Sequence, residues 1–170
     1  MEKQKLFNKL YKIKQENTII EIVNVVTIFE HILPYLNSSM LCVIFNCNSE
    51  MFLKCFESYS VLGLICVSDK NNDHIDILTN KSLLFKEKCD FGFIEIPYEK
   101  NHSKETKWID LALKTTKNVA LVVKSNEIKN LSLKYTFKIL GKLEMKIDKS
   151  LKYQKSQVKD EYNIILIKGE

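Results

Sequence analysis

The chain contains no arginine: all 26 basic residues among its 170 are lysines. The guanidinium fork that recognises phosphates and bases in a bidentate manner is therefore missing. Glycine (4) and proline (2) are scarce, which excludes collagen-like, repeat and low-complexity architectures. No apolar run approaches the roughly 18 to 20 residues of a membrane span, and the lysine-rich N-terminus lacks a signal-type core. We expect an intracellular protein, cytoplasmic or nuclear, without a membrane segment.

Cysteine pairs of the C-x-x-C type are also missing. The odd number of cysteines and their apolar surroundings fit reduced, packed thiols. They are Cys42, Cys47, Cys55, Cys66 and Cys89. The histidines, at positions 31, 74 and 102, are far apart in the chain. A zinc site needs cysteines or histidines at short spacing, so the sequence predicts no metal site.

The lysines are concentrated in the C-terminal half. Residues 1–85 hold 8 lysines against 9 acids, whereas residues 100–159 hold 15 against 5. This distribution fits a polyanionic partner such as RNA. It fits equally well a set of solubilising helix faces.

Two helices are predicted at the N-terminus. Residues 2–16 place Leu6, Leu10 and Ile13 on one face among lysines, which is typical of an amphipathic helix. Residues 18–36 continue the helical spacing, with Pro34 marking a kink or an early end. We expect these helices to pack on the domain that follows.

The remaining chain alternates short apolar runs with helical patterns. Strands are predicted over residues 40–45, 61–67, 74–78, 91–96, 119–123, 143–147 and 162–167. Helices are predicted over residues 50–59, 106–117 and 126–140. This order predicts an α/β fold: a doubly wound, methyltransferase-type, mostly parallel sheet with an antiparallel C-terminal hairpin. We interpret residues 1–170 as one domain, with a helical segment over 1–38 and the sheet over 39–170.

Ligands of doubly wound sheets bind at the carboxyl ends of the strands. Asn46 and Asn48 follow the first strand, where a cofactor loop normally carries glycines. Asparagine tolerates left-handed backbone, but its side chain fills space that glycine leaves open. Asp69 follows the second strand and could accept hydrogen bonds from a ribose diol, or cap a turn.

Glu95, Pro97 and Tyr98 end the strand predicted over residues 91–96. An acceptor, a proline turn and an aromatic ring could hold an exocyclic amine and stack on a base. The alternative is an ordinary proline turn with a surface tyrosine. Neither a G-x-S-x-G elbow nor a G-x-x-x-x-G-K loop is present, so triad hydrolysis and P-loop phosphate transfer have no support.

The order of segments resembles the methyltransferase-like protein 5 family, adenine-N6 methyltransferases of small-subunit ribosomal RNA. Residues 42–50 occupy the place of the family's D-L-G-C-G-C-G strand and loop, and residues 63–69 resemble its second strand with an acidic end. Glu95-Ile96-Pro97-Tyr98 stands where the family has N-P-P-F. Residues 148–168 resemble its closing hairpin.

The resemblance implies S-adenosylmethionine as cofactor and a small zinc-binding activator protein as partner. The activator pairs with the family's edge strand, which here corresponds to residues 74–78 and carries Ile75 and Ile77. Lys100, Lys104 and Lys107, in and after the polar loop that follows the N-P-P-F position, are the residues we expect to bind RNA.

The departures from the family pattern point to loss of the cofactor site. Every loop glycine is replaced, Glu50 adds a negative charge, and Ile44 stands in the place of the acid. We therefore favour a non-catalytic methyltransferase-fold protein that binds the activator, ribosomal RNA or both, without a cofactor. The alternative is an active S-adenosylmethionine-dependent adenine methyltransferase, with Asp69 on the ribose, Glu95 on the target amine and Tyr98 stacked on the base. An unrelated doubly wound binding module is a third interpretation.

Overall fold

A computed structural model of the protein describes residues 3–12, 22–47, 50–67, 87–95, 103–145 and 160–169. The strands are β1 (Leu41–Phe45), β2 (Gly63–Val67), β3 (Phe91–Ile94), β4 (Asn118–Lys124), β5 (Phe137–Met145) and β6 (Asp160–Lys168). The helices are α1 (Lys3–Tyr11), α2 (Ile22–Ile32), α3 (Glu50–Tyr59), α4 (Ser103–Thr115) and α5 (Ile128–Ser132). Short 3₁₀ helices cover Leu33–Tyr35 and Ser125–Glu127.

The strands form one sheet in the order β2-β1-β3-β4-β6-β5 within the described residues. β1 pairs in parallel with β2 and β3, and β3 pairs in parallel with β4. β6 runs antiparallel to β4, and β5 runs antiparallel to β6. The predicted mostly parallel α/β sheet with an antiparallel C-terminal hairpin is confirmed. Because β1 to β4 run in one direction, the loops that follow them begin at the same edge of the sheet.

Apolar layers cover both faces of the sheet. On one face α1, α2 and α3 pack against the strands. The aromatic rings of Phe52 and Phe93 lie 4.5 Å apart there, and those of Phe29 and Phe56 lie 5.2 Å apart. On the other face α4 packs against β1, β3 and β4. Coverage on both sides explains why the central strands are continuous apolar runs.

The N-terminal helices pack as the sequence predicts. Leu6 and Leu10 of α1 are fully buried against α2 and α3, and Ile13 lies outside the described residues. α2 ends at Ile32, and Pro34 lies in the 3₁₀ helix that follows. The backbone nitrogen of Pro34 carries no hydrogen and cannot donate a hydrogen bond, which accounts for the end of the α-helix.

Most of the other predicted elements are present with small changes at their ends. α3 begins and ends as predicted, and α4 begins three residues earlier than the predicted helix over residues 106–117. β1, β2, β3, β4 and β6 lie at the predicted places. The strand predicted over residues 74–78 lies outside the described residues. The division into segments 1–38 and 39–170 of one domain stays a prediction.

The helix predicted over residues 126–140 is confirmed only at its start, and its C-terminal part is wrong. After Ser125–Glu127 and the short α5, the chain enters β5 at Phe137, well before the strand predicted to start at residue 143. A bulge between Ile139 and Gly141 shifts the register of β5 against β6. The bulge interrupts the alternation of the strand, and the apolar residues 135 and 139 continue the helical spacing of residues 128 and 131 in α5.

The bulge in β5 leaves room for an α2 side chain. A Cβ atom at Gly141 would come within 2.5 Å of Cδ2 and Nε2 of His31. The His31 ring is held in place, because its Nδ1 hydrogen-bonds the Thr27 carbonyl at 2.8 Å. Gly141 is therefore required for close packing, not for an unusual backbone angle.

We predict that Gly141→Ala lowers the free energy of unfolding by about 1 to 3 kcal/mol, because the new methyl group overlaps the His31 ring. Urea denaturation followed by circular dichroism measures the loss. The double variant His31→Ala/Gly141→Ala should show a smaller loss than the two single variants added together.

Gly63→Ala is the matched control for this change. The Cβ atom there would meet the Cδ2 atom of Leu41 at 2.6 Å, the tip of an exposed, flexible side chain. A loss below about 0.5 kcal/mol is expected. Equal losses for Gly63→Ala and Gly141→Ala would contradict the role assigned to the His31 contact.

Asp90 joins three segments at the amino end of the parallel strands. Its carboxylate accepts a hydrogen bond from the Leu41 backbone N–H at 2.9 Å and pairs with Lys117 Nζ at 3.0 Å. The bond from Leu41, followed by that from Lys117, lowers the pKa of Asp90. A carboxylate with a lowered pKa stabilises the fold above its unfolded pKa, and this contribution disappears as the pH falls through the folded value.

We expect Asp90→Asn to lower the free energy of unfolding at pH 7 by about 1 kcal/mol, since a charge-assisted hydrogen bond and an ion pair are weakened. The difference from the wild type should shrink below about pH 4, where the wild-type carboxylate is itself protonated. Urea denaturation between pH 3 and pH 7 tests both statements.

Glu57→Gln provides the comparison, because it breaks an exposed ion pair with Lys54 at 3.0 Å. The expected loss is at most a few tenths of a kcal/mol at pH 7, and it disappears at pH 3, where the wild-type carboxylate is protonated. A pH-independent loss in Asp90→Asn would show that the Asp90 carboxylate does not carry the stabilisation.

Candidate functional site

The candidate site lies where β1 and β3 end side by side. Phe45 and Ile94, the last residues of the two strands, are paired in the parallel register. Asn46 and Glu95 follow them directly. The Glu95 backbone N–H donates to the Phe45 carbonyl at 3.0 Å, and Asn46 Nδ2 donates to the Glu95 carbonyl at 3.3 Å. The pairing register therefore brings together two residues that the sequence placed in different motifs.

Asn46 has a left-handed backbone with φ of 55°. Asparagine is one of the few residues other than glycine that adopt this conformation readily. Its side chain is 3% exposed and spans the gap to the end of β3. The chain thus keeps the backbone turn typical of a glycine while filling the adjacent space with an amide.

Glu95 is buried at the end of β3, with 5% of its surface exposed. Side chains alternate along a strand, so Glu95 shares a face with Phe93, on the side covered by α3. Burial, and secondarily the charge of Glu95, raise the pKa of Cys55 in α3 to about 12. The carboxylate of Glu95 therefore interacts electrostatically with groups in the interior beneath α3, such as the Cys55 thiol.

Cys47 and Cys66 meet at the same edge of the sheet. The Cys47 backbone N–H donates to the Val67 carbonyl at 2.8 Å, which holds the loop after β1 against the end of β2. The Cys47 thiol hydrogen-bonds the Cys66 sulfur, and this bond lowers the pKa of Cys66 against the opposing effects of burial and Glu57. Sequence reasoning missed this pair, since no spacing rule relates the two positions.

Most of the other predicted site residues lie outside the described residues. These are Asn48, Asp69, Ile75, Ile77, Pro97, Tyr98 and Lys100. Lys104 lies within α4, and Lys107 is exposed on the same helix. The roles predicted for all these residues stay predictions.

Two sets of lysines in the C-terminal half bear on a polyanionic partner. Three form ion pairs, Lys117 with Asp90, Lys124 with Asp160 and Lys134 with Asp110, at 3.0 to 3.2 Å. Lys107 and Lys114 instead lie exposed on α4. Seven residues separate them, so both project from the same side of the helix. The sequence did not single out Lys114, because it shows the pattern of charge but not which lysines are exposed.

Within the described residues, no group of three or more His, Cys, Asp and Glu side chains is placed to hold a metal ion. None of the helices in this part of the chain is long and apolar enough to span a membrane.

Neither a protein-family model nor a curated protein matches this sequence. Solved structures do match its fold. Thermoplasma acidophilum protein 1320 gives a TM-score of 0.69 at 12% identity, covering 98% of this chain and 97% of its own. A Pyrococcus horikoshii protein provisionally assigned as an RNA methyltransferase gives 0.66 at 12% identity, covering 99% and 98%. The 23S ribosomal RNA methyltransferase ErmE gives 0.53 at 10% identity, covering 85% and 67%.

The matches to the first two structures extend over nearly the whole chain. At 12% sequence identity, they carry information on the fold alone. The fold of this chain resembles that of S-adenosylmethionine-dependent methyltransferases, among them RNA methyltransferases.

Proposed function

We propose that the protein is a methyltransferase-fold protein that binds ribosomal RNA, alone or with a methyltransferase activator subunit, and does not transfer methyl groups. The observation that carries the proposal is the hydrogen bond from Asn46 Nδ2 to the Glu95 carbonyl, at 3.3 Å. In the family that the sequence resembles, these two positions hold a loop glycine and the acceptor of the target amine.

The first supporting argument concerns the cofactor loop. A loop that binds a cofactor through its backbone needs positions without side chains, so that the ligand can approach closely. Asn46 has the left-handed backbone of such a position, but its amide is buried and reaches across to β3. The space that a glycine would leave for the ligand is occupied by the protein itself.

The second supporting argument concerns the acceptor. A group that takes a hydrogen bond or a proton from a substrate amine must come within about 2.6 to 3.2 Å of it. The backbone of Glu95 is bonded on both sides, to Phe45 and to Asn46, and its side chain is buried beneath α3. The carboxylate is thus placed to interact with the interior of the protein, not with an incoming base.

Exposed lysines support the RNA part of the proposal. α4 runs from the carboxyl edge of the sheet back toward the amino edge, as the connection between two parallel strands must. Lys107 and Lys114 project from its surface, whereas Asp110 between them is already neutralised by Lys134 and bonded by the Tyr135 hydroxyl at 2.6 Å. The α4 surface therefore carries positive charge available to phosphates.

The activator subunit is proposed as a partner because the family that the sequence resembles has one. The strand predicted over residues 74–78, with Ile75 and Ile77, would as an edge strand offer unpaired backbone groups for strand addition by such a partner.

The second candidate function is an active S-adenosylmethionine-dependent adenine-N6 methyltransferase of ribosomal RNA. It is favoured by the position of Glu95, which follows β3 directly and lies beside the loop after β1. In that case Asp69 would bind the ribose and Tyr98 would stack on the base, and Glu95 would have to turn outward. A measurement of cofactor binding separates the two candidates.

Isothermal titration of the full chain with S-adenosylmethionine is the first test. We expect no saturable binding by the wild type at cofactor concentrations up to about 1 mM. A dissociation constant above about 1 mM corresponds to a binding free energy weaker than about −4 kcal/mol. Asn46→Gly should improve the affinity at least about tenfold, because glycine accepts the same backbone angle and vacates the side-chain space. Micromolar binding by the wild type would favour the active enzyme.

Ser60→Gly is the matched control. Ser60 also has a left-handed backbone, with φ of 60°, but it is exposed at the end of α3. The change to glycine relieves the same kind of strain and should stabilise the fold by up to about 1 kcal/mol. Cofactor affinity should stay as in the wild type. An equal gain in Ser60→Gly would mean that the improvement in Asn46→Gly comes from general flexibility.

RNA binding is tested by fluorescence anisotropy with a labelled single-stranded fragment of small-subunit ribosomal RNA. We expect weak binding whose affinity falls steeply as sodium chloride is raised, since each neutralised phosphate releases counterions. Lys107→Gln/Lys114→Gln should weaken binding and reduce the slope of log K against log salt by about 1.4, roughly 0.7 for each lost contact.

Lys5→Gln/Lys9→Gln removes the same charge from the exposed surface of α1. This variant should bind RNA with the wild-type salt dependence. If both double variants weaken binding equally, net charge alone attracts RNA and α4 is not the binding surface. Unchanged binding in Lys107→Gln/Lys114→Gln would assign these lysines to solubility.

A further inference from the structure

The Cys47 and Cys66 thiols are neighbours although they belong to different segments. The backbone bond from Cys47 to the Val67 carbonyl, 2.8 Å long, sets the loop after β1 beside the end of β2. Both cysteine side chains pack against the core layer under α3, so they project to the same face of the sheet. Their thiols are joined by a hydrogen bond.

The pair differs from the other cysteines in exposure, and Cys66 also differs in the direction of its pKa shift. Cys47 and Cys66 are partly exposed, whereas the other three thiols are buried. The bond from Cys47 lowers the pKa of Cys66, although burial and the carboxylate of Glu57 oppose it. Burial, with a smaller effect of nearby charges, raises the pKa of Cys42 and Cys55 to about 12, and it raises that of Cys89. The thiolate is the reactive form, so Cys66 is activated relative to these three.

We propose that Cys47 and Cys66 form a reversible disulfide bond with glutathione disulfide as the oxidant, Cys66 being the thiol that attacks first. This would be a redox modification site at the edge of the sheet where the methyltransferase fold binds its ligands. The proposal does not depend on RNA or cofactor binding.

The exchange proceeds in two steps. The Cys66 thiolate attacks one sulfur of glutathione disulfide, so an S–S bond forms to Cys66 and one glutathione leaves as thiolate, which takes up the proton released by Cys66. Cys47 then loses its proton and attacks the Cys66 sulfur of the mixed disulfide, releasing the second glutathione. Two thiols of the protein are oxidised, and one glutathione disulfide is reduced to two glutathiones.

The disulfide has a structural consequence. It ties the residue that follows Asn46 to β2 and closes the segment that contains α3. The oxidised chain should therefore unfold at a higher urea concentration than the reduced chain, because closing a loop restricts the unfolded ensemble.

The test uses the reduced full chain, equilibrated with glutathione buffers of increasing disulfide fraction. Samples are quenched in acid, unfolded, blocked with N-ethylmaleimide and digested with trypsin and chymotrypsin. Cleavage after Phe45 and Phe56 separates Cys47 from Cys42 and Cys66 from Cys55. Mass spectrometry should find the Cys47–Cys66 disulfide, with the other cysteines as maleimide adducts. Maleimide on both Cys47 and Cys66 at every ratio would overturn the proposal.

Single variants assign the order of attack. Cys47→Ser should stop at the mixed disulfide and hold one glutathione on Cys66, whereas Cys66→Ser should take up little glutathione. Cys89→Ser, a conservative change at a buried thiol, should form the disulfide as the wild type does. Equal glutathione uptake in Cys47→Ser and the wild type would show that Cys47 does not resolve the mixed disulfide, against the proposal.

Thiol labelling of the native wild type gives a second readout that needs no variant. Cys66 should react with a thiol-specific disulfide reagent at pH 7 more than about tenfold faster than Cys42 or Cys55, since a pKa near 12 leaves about one thiolate in 10⁵. Equal rates for these cysteines would contradict the activation of Cys66.

Discussion

The parallel pairing of β1 with β2 on one side and β3 on the other is the constraint on which the candidate site depends. It sets the ends of three strands at one edge, with Phe45 opposite both Val67 and Ile94. Each contact of the site follows from that register. Asn46 reaches the end of β3, Cys47 reaches the end of β2, and Glu95 bonds back to Phe45. A shift of one residue would turn every one of these side chains to the opposite face.

Doubly wound sheets bind their ligands at this edge, and the described residues there bond to one another. An asparagine with a left-handed backbone keeps the turn but supplies an amide that bonds the neighbouring strand. The amide of Asn46 takes up space beside the end of β3, and burying the Glu95 carboxylate beneath α3 costs free energy. This arrangement belongs to the fold, and fold and activity are separable properties.

Charge in the C-terminal half serves two purposes. The ion pairs of Lys117, Lys124 and Lys134 link separate elements of the structure. Lys107 and Lys114 are exposed on α4. Counting lysines along the chain cannot separate these groups, because the acid that neutralises a lysine is distant in sequence.

The sequence by itself determined the elements whose signals are local. Apolar periodicity located α1 to α4 and the parallel strands, and Pro34 marked the end of α2. The tertiary structure alone decided which loop residues meet, because a pair such as Asn46 and Glu95 or Cys47 and Cys66 is defined by strand register and leaves no trace in local spacing. It also decided that Phe137–Met145 is a strand, since the bulge beside Gly141 hides its alternation and pairing with β6 overrides the helical pattern.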